Sequence, residues 1–158
     1  MDTAYKTTLE LDKVLARAVQ LCACQETKEM MQALEPAPTV EDERYDLAQT
    51  NAINALLIKN GSPRFGSVRE VRRIVAHARK GGILSMGELL EIAATLRNFS
   101  GLSQWYGLSE HEMLPTDDLF FALAPQPVLE KQISESILSP EEMADTASVT
   151  LHDLRRKI

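Results

Sequence analysis

The sequence predicts an all-α fold, an irregular bundle of several helices that ends in the start of a long helix. Apolar residues recur at helical spacing in most stretches, and capping patterns stand before several of them. No run alternates apolar and polar residues for long enough to indicate a sheet. Aromatic residues make up only 5% of the chain, so an aliphatic core is expected, which favours helices.

Helical spacing in the first part of the chain indicates a helix over 9–21. The stretch 25–34 is expected to continue this helix, with a break near Cys24 as the alternative. A capping-box pattern at Thr39-Val40-Glu41-Asp42 opens the next helix, which runs to about Lys59. We expect Asn60-Gly61 to stop it, because glycine takes the left-handed conformation at little cost.

Two further capping boxes predict the next pair of helices. Ser67-x-x-Glu70 opens a helix that Gly81-Gly82 closes. Ser85-x-x-Glu88 opens another that runs to about Gln104. The residues that follow, 107–118, are predicted to form a loop.

The last part of the chain is predicted to hold short helices near 117–123 and 127–136, then a final helix. Ser139-Pro140-Glu141-Glu142 indicates its start, with a Ser cap, Pro at the first position and acids at the positive end of the dipole. This helix reaches Ile158 without a C-terminal signal. We therefore expect an N-terminal fragment of a larger protein, folded as a single helical domain over 1–158.

Composition restricts the function. A net charge of −6 argues against a protein that coats nucleic acid over its whole surface. Six of the 17 Lys and Arg nevertheless fall between Arg64 and Lys80, where Glu70 is the one acid, so a polyanion contact would be local. Two cysteines form no disulfide framework, and neither a signal peptide nor a membrane span is predicted. A cytoplasmic protein is expected.

The segment from Gly61 to Gly66 has the glycine spacing of a P-loop without its chemistry. A P-loop carries Lys and then Ser or Thr after the second glycine, and Ser67 and Val68 occupy those positions here. No nucleotide site is predicted, because no point charge would meet the terminal phosphates. Pro63 and Phe65 indicate a sharp turn in which Phe65 fills the core between helices, with a docking loop as the alternative.

Five basic residues form the best candidate for a binding surface. On one helix four of them can share a broad face, with Arg79 close by, because side chains three or four positions apart are neighbours. Such a face contacts phosphates without reading sequence. The alternative is a solvated helix face, or an internal partner for acids such as Glu41. The five residues are Arg69, Arg72, Arg73, Arg79 and Lys80.

No catalytic, cofactor-binding or metal-binding residue is predicted, and the three histidines are isolated in the sequence. Cys22 and Cys24 lack the partners of a zinc site and are expected to be buried as apolar side chains. The carboxylate pairs Asp117-Asp118 and Glu141-Glu142 are interpreted as acids at helix starts. Trp105-Tyr106 is expected to cap the core, with an exposed interface as the alternative.

Three blocks of the sequence carry a family resemblance. The first block is Leu9-Glu10-Leu11-Asp12-Lys13-Val14 with Glu29 and Leu34-Glu35-Pro36. The second is Gly61 to Gly66 with Val71-Arg72, the run from Ala78 to Ser85, and Glu88-Leu89. The third is Asp145-Thr146-Ala147-Ser148 with Leu151 and Leu154-Arg155. Together they resemble the N-terminal region of the bacterial MutS-two family, the MutS paralogue that ends in an Smr nuclease domain. The family has a Gly near Glu141, inside an extended turn, where this chain has Ser-Pro-Glu-Glu.

The resemblance implies part of a MutS-type core domain, placed before long lever or clamp helices. It implies a homodimeric parent that binds ATP and Mg²⁺ far downstream and carries its nuclease further still. The parent would act on branched DNA in suppressing recombination, or on collided ribosomes. This chain would then be a non-catalytic scaffold without its own cofactor, and its partners would be the downstream ATPase and clamp domains. The alternative is a free-standing helical adaptor that binds a partner protein through an apolar groove.

Overall fold

The computed structural model describes residues 8–64, 66, 68–108, 110 and 112–157. Helices dominate, which confirms the predicted all-α class, and one small hairpin accompanies them. The elements are α1 Leu11–Leu21, α2 Gln25–Gln32, α3 Val40–Asn60, α4 Arg72–Arg79, α5 Met86–Tyr106, α6 Asp117–Phe121, α7 Pro127–Ser136, β1 Ile137–Ser139, β2 Glu142–Met143, a 3₁₀ turn Asp145–Ala147, and α8 Val149–Arg156.

The chain divides into two compact units, 1–43 and 44–158. In the first unit α1 and α2 pack against each other, and neither contains a fully buried residue. The second unit holds α4 to α8, the hairpin and most of α3. The single domain over 1–158 stays a prediction.

The core of the second unit consists of an aromatic and an aliphatic cluster. In the aromatic cluster Leu56 of α3 packs against Trp105 and Tyr106 at the end of α5. In the aliphatic cluster Ala93, in the middle of α5, packs against Ile133 and Ile137. Helix α5 therefore contributes to both clusters and links the packing of α3 to that of α7.

Several predicted helix boundaries are confirmed by cap geometry. The Ser85 hydroxyl accepts from the Glu88 amide at 3.3 Å, and the Glu88 carboxylate accepts from the Ser85 amide at 2.7 Å, which completes a capping box. The Ser85 amide and hydroxyl bonds also lower the pKa of Glu88. The Thr39 hydroxyl accepts from the Asp42 amide at 3.1 Å before α3. Gly61 follows α3 with φ of 73°, a conformation that favours glycine.

The predicted helix start at Ser67 is wrong. Residues 68–70 are not helical, and α4 begins at Arg72. Ser67 itself lies outside the described residues. Just before this segment, the Gly66 amide donates to the Asn98 side chain of α5 at 2.9 Å. That long-range bond ties the chain to α5, and a local capping pattern contains no information about it.

The predicted long helix from Ser139 is also wrong. Residues 137–143 form a hairpin of two short antiparallel strands, and α8 begins at Val149. Pro140 lies in the turn between the strands, a position for which its fixed φ is suited. Ile137 is buried in the aliphatic cluster, and this burial favours the strand over a local helix start. After the hairpin, Arg155 of α8 donates to the Met143 carbonyl at 3.0 Å and to Asp145.

Within the ranges that the structure describes, no helix is both long and apolar enough to cross a membrane.

Candidate nucleic-acid interface

Helix α4 is a short basic helix with a well-defined end. The amides of Gly81 and Gly82 donate to the carbonyls of Ala78 at 2.9 Å and His77 at 3.1 Å. Gly81 has φ of 81°, so the two bonds form a Schellman motif. A Cβ on Gly82 would lie 2.2 Å from the His77 ring, so this turn is closed against that side chain.

The basic side chains of α4 lie opposite its buried side. Ile74 is the buried residue of this helix. Residues seven positions apart in an α-helix lie about 20° apart around its axis. Arg72 and Arg79 therefore lie along one line, Arg73 and Lys80 along a second, about 100° away. The four together span the side that faces away from Ile74.

All five predicted contact residues are exposed, but the structure does not bring all five onto one helix face. Arg72, Arg73 and Arg79 are helical, and Lys80 is the C-cap. Arg69 lies in the non-helical segment before α4, which corrects its predicted place on the face. Among the residues that the structure describes, Arg69, Arg73, Arg79 and Lys80 form no ion pair.

The position of the basic residues along α4 also has a structural consequence. Arg79 and Lys80 stand at the carboxyl end of the helix, where cations interact favourably with the helix dipole. This interaction contributes to helix stability whether or not a ligand binds. It accounts for two of the basic residues, and it does not account for Arg73 at the amino end, where the dipole disfavours a cation.

The glycine loop before α4 is held by α5. The Trp105 indole Nε1 donates to the Gly61 carbonyl at 2.8 Å, and the Asn60 side chain donates to the Trp105 carbonyl at 3.2 Å. At the other end of the loop the Gly66 amide is bonded to Asn98, where a Cβ on Gly66 would lie only 2.6 Å from the amide oxygen. Phe65 lies outside the described residues. Pro63 is in irregular structure between the two anchors.

This loop does not have the geometry of a phosphate-binding loop. In a P-loop the glycines lead directly into a helix whose first amides point at the phosphates. Here α4 begins six positions after Gly66, and the Gly66 amide is already used by Asn98. The arrangement agrees with the missing Lys in the sequence.

A buried polar network lies beside the aromatic cluster. The Tyr106 hydroxyl donates to the Asp117 carboxylate at 2.6 Å and lies 2.8 Å from the Thr116 hydroxyl. Because a hydroxyl has one proton, Thr116 must be the donor of the second bond. Burial, together with the bond to Asp117, raises the pKa of Tyr106. Phe120 stacks on the Tyr106 ring with centroids 3.8 Å apart.

The other candidate groups have structural positions. Trp105 and Tyr106 are buried, as the core interpretation predicted. Asp117 and Asp118 lie in the first turn of α6, as predicted, whereas Glu141 and Glu142 belong to the hairpin, which contradicts their predicted helix start. In the part of the chain that the structure describes, no cluster of His, Cys, Asp and Glu could hold a metal ion.

The prediction that both cysteines are buried is wrong. Cys22 and Cys24 are half-buried and follow and precede helices rather than lying within one. The Cys22 thiol lies 3.4 Å from the Ala18 carbonyl. The Cys24 thiol lies 3.0 Å from the Thr27 hydroxyl, and this hydrogen bond lowers its pKa.

Asn98 and Thr116 are two important positions that sequence reasoning missed. Asn98 stands between apolar positions of a predicted helix, and a polar residue at such a place is normally interpreted as part of the solvent-exposed face. Thr116 lies in a stretch predicted to be a loop, yet it is completely buried. Tyr106, Thr116 and Asp117 form no recognised sequence motif, so the sequence contains no signal for this network.

The chain is similar to bacterial proteins named Endonuclease MutS2. The protein of Ruminiclostridium cellulolyticum is 32% identical over 160 residues, which cover 100% of this chain and 20% of the relative. That of Clostridium beijerinckii is 29% identical over 152 residues, or 95% and 19%, and that of Lachnospira eligens is 29% identical over 156 residues, or 99% and 19%.

The chain thus spans about a fifth of the length of these curated relatives. No protein-family model and no solved structure matches it. Because the similarity to several MutS2 proteins extends over almost every residue, the resemblance to the bacterial MutS-two family is confirmed, and the chain is a MutS2-like sequence.

Proposed function

We propose that this chain is a non-catalytic helical core, or scaffold, of a MutS2-like protein. The observation that carries the proposal is the internal use of polar groups around α5. The side chains of Trp105, Asn60 and Tyr106 donate hydrogen bonds to other parts of the second unit, and the Asn98 side chain accepts one from Gly66. Polar groups used in this way fix the relative positions of helices, and they are not available to a substrate.

A scaffold of this kind has a mechanical role. Helix α5 contacts α6 and α7 and bonds to the loop after α3, so displacement of one of these elements is passed to the others. Coupling of distant sites requires packed elements of this kind with two arrangements. In a MutS2-like parent the coupled sites would be the ATPase, with ATP and Mg²⁺, and the clamp. Nuclease activity, which the relatives' name states, would then reside outside residues 1–158.

The non-catalytic assignment is tested with the purified 158-residue chain. We expect no hydrolysis of ATP in the presence of Mg²⁺ and no cleavage of plasmid DNA or ribosomal RNA. Turnover that co-purifies with the chain and disappears in a Tyr106→Phe or Asp117→Asn variant would contradict the proposal. Turnover that survives both changes would be traced with Asp118→Asn.

We also propose that the exposed side of α4 contacts the phosphate backbone of the parent's DNA or ribosomal RNA target. Arg72, Arg73, Arg79 and Lys80 provide the charge, and Arg69 lies just before them. The described part of this surface offers no Phe, Tyr or Trp for stacking on bases, so contact would be electrostatic and independent of sequence.

The phosphate contact is tested by the salt dependence of binding. Arg73→Gln with Lys80→Gln removes two charges from one line of α4 and its C-cap. Arg156→Gln with Lys157→Gln removes two exposed charges from the end of α8 and its C-cap as a matched control. We expect only the α4 pair to weaken binding to duplex DNA or structured RNA. The slope of log affinity against log salt should fall by about 2. Equal slopes for the two double variants would contradict the contact.

A further inference from the structure

An open groove lies between the start of α3 and the residues around α6. It has a volume of about 440 Å³, and its lining includes Tyr45, Met113, Leu114, Asp117, Asp118 and Phe121. All of these residues belong to the second unit. Neither the proposed scaffold role nor the basic side of α4 makes use of this groove.

The groove exposes large apolar side chains. Met113 is 92% exposed, Phe121 75% and Tyr45 49%. Single exposed apolar residues are ordinary on protein surfaces, but several around one concavity mark a binding site. Leu114 lies at the groove and also packs against the aromatic cluster, so the groove is in direct contact with the core.

The shape of the groove is fixed by hydrogen bonds. The Tyr45 hydroxyl and the Gln49 side chain both donate to the Pro115 carbonyl, at 3.1 and 2.9 Å. The Leu114 amide donates to Asp117 at 3.2 Å. A groove held in this way needs little ordering when it binds, which lowers the entropic cost of association.

The charge of the groove is negative. Among the residues that the structure describes, its lining contains the carboxylates of Asp117 and Asp118 and no Lys, Arg or His. Glu110 and Glu112, both exposed, stand a few residues before it in the chain. Two bases stand near these residues. Arg44 directly precedes Tyr45 in the chain, and the Lys59 Nζ donates to the Glu110 carbonyl at 3.3 Å.

We propose that this groove docks a basic polypeptide segment that inserts one large apolar side chain. The apolar side chain would lie on Phe121 and Met113, and Lys or Arg on either side would meet Asp118. A segment with Asp or Glu in the same places would be repelled. The basic and apolar character of this partner follows from the apolar surface and the negative charge, which lie together in the groove.

The test uses two short capped helical peptides as probes. Both present Leu on one face, and they carry Lys or Glu on the other. We expect the 158-residue chain to bind the Leu/Lys peptide and to bind the Leu/Glu peptide about 10-fold more weakly or worse. Phe121→Ser should weaken Leu/Lys binding about 10-fold, because the buried apolar area is lost. Asp118→Asn should reduce it by a smaller factor, mainly at low salt.

Two variants make the test decisive. Ile83→Ser is the control: it changes an almost fully exposed apolar residue outside the groove and should leave binding unchanged. Met113→Ser should weaken binding as much as Phe121→Ser, and it keeps the test valid if Phe121→Ser folds poorly. Equal affinity for the two peptides, or equal effects of Ile83→Ser and Phe121→Ser, would overturn the proposal. Self-association of the chain that Phe121→Ser abolishes would also overturn it, in favour of a second copy as the occupant.

Discussion

The aromatic cluster bonds to one end of the glycine loop and α4 follows the other end, yet the two regions are held in very different ways. At the aromatic cluster, Trp105 and Tyr106 are buried and both donate hydrogen bonds through their side chains to residues outside α5. Helix α4 has one buried residue, Ile74, and otherwise exposes its side chains. The first region has a fixed geometry, and the second presents charge to solvent.

This difference separates structural from binding residues. Where polar groups are buried and paired, a substitution is expected to change stability. Where charges are exposed, a substitution is expected to change ligand binding and leave stability nearly unaltered.

The largest effect is expected at Trp105. Trp105→Ala removes a buried ring and the bond to Gly61, and should lower the free energy of unfolding by about 3–5 kcal/mol. Ile74→Ala should cost about 2 kcal/mol, since α4 is covered on one side only. Urea unfolding followed by circular dichroism measures both. A greater loss for Ile74→Ala would reverse the comparison.

A smaller effect is expected at Thr116. Thr116→Val keeps the shape of this fully buried side chain but removes the hydroxyl that donates to Tyr106. The free energy of unfolding should fall by about 1–2 kcal/mol. The exposed Thr150 of α8 provides the control, and Thr150→Val should have an effect near zero. Equal effects would mean that the network contributes nothing to stability.

Two glycines are expected to respond with opposite signs. Gly81 has positive φ, so Gly81→Ala should lower the free energy of unfolding by about 1 kcal/mol although space is available. Gly101 is exposed inside α5 with open space around it, so Gly101→Ala should raise stability by about 0.5–1 kcal/mol. Thermal unfolding of the two variants distinguishes them, and the same sign for both would refute the backbone argument.

The smallest effect concerns pH. The pKa of Tyr106 is raised in the folded state. The neutral Tyr106 hydroxyl therefore makes its full contribution to stability below the unfolded pKa of about 10. The contribution is lost as pH rises through the folded pKa. The stability of the wild type should therefore fall more steeply than that of Tyr106→Phe above pH about 10. Urea unfolding at several alkaline pH values measures the difference, and parallel curves would contradict the burial of this hydroxyl.

Local sequence patterns predicted the helices that depend on local contacts. The capping box at Ser85 and the Gly81 turn are formed by residues close in sequence, and both were found as predicted. The segment at 68–70 and the hairpin at 137–143 were not predicted. The segment at 68–70 comes after the bond from Gly66 to Asn98, and the hairpin forms where Ile137 is buried. Neither contact leaves a local sequence pattern.

The candidate surfaces show the same division. The sequence identified the basic residues because their density is a compositional signal, but it placed Arg69 on a helix to which it does not belong. The acidic groove could not be predicted from the sequence, since its lining combines Tyr45 with residues 68 to 76 positions later. Only the packing of α3 against the residues before α6 brings them together.

Native-state hydrogen exchange of the 158-residue chain tests the central claim most directly. If the second unit is a scaffold fixed around α5, amides near Trp105 should exchange only with the free energy of global unfolding. Amides of α4 should exchange through local opening, at least about 2 kcal/mol more easily. Equal protection of the two helices, or faster exchange near Trp105 than in α4, would contradict the scaffold account.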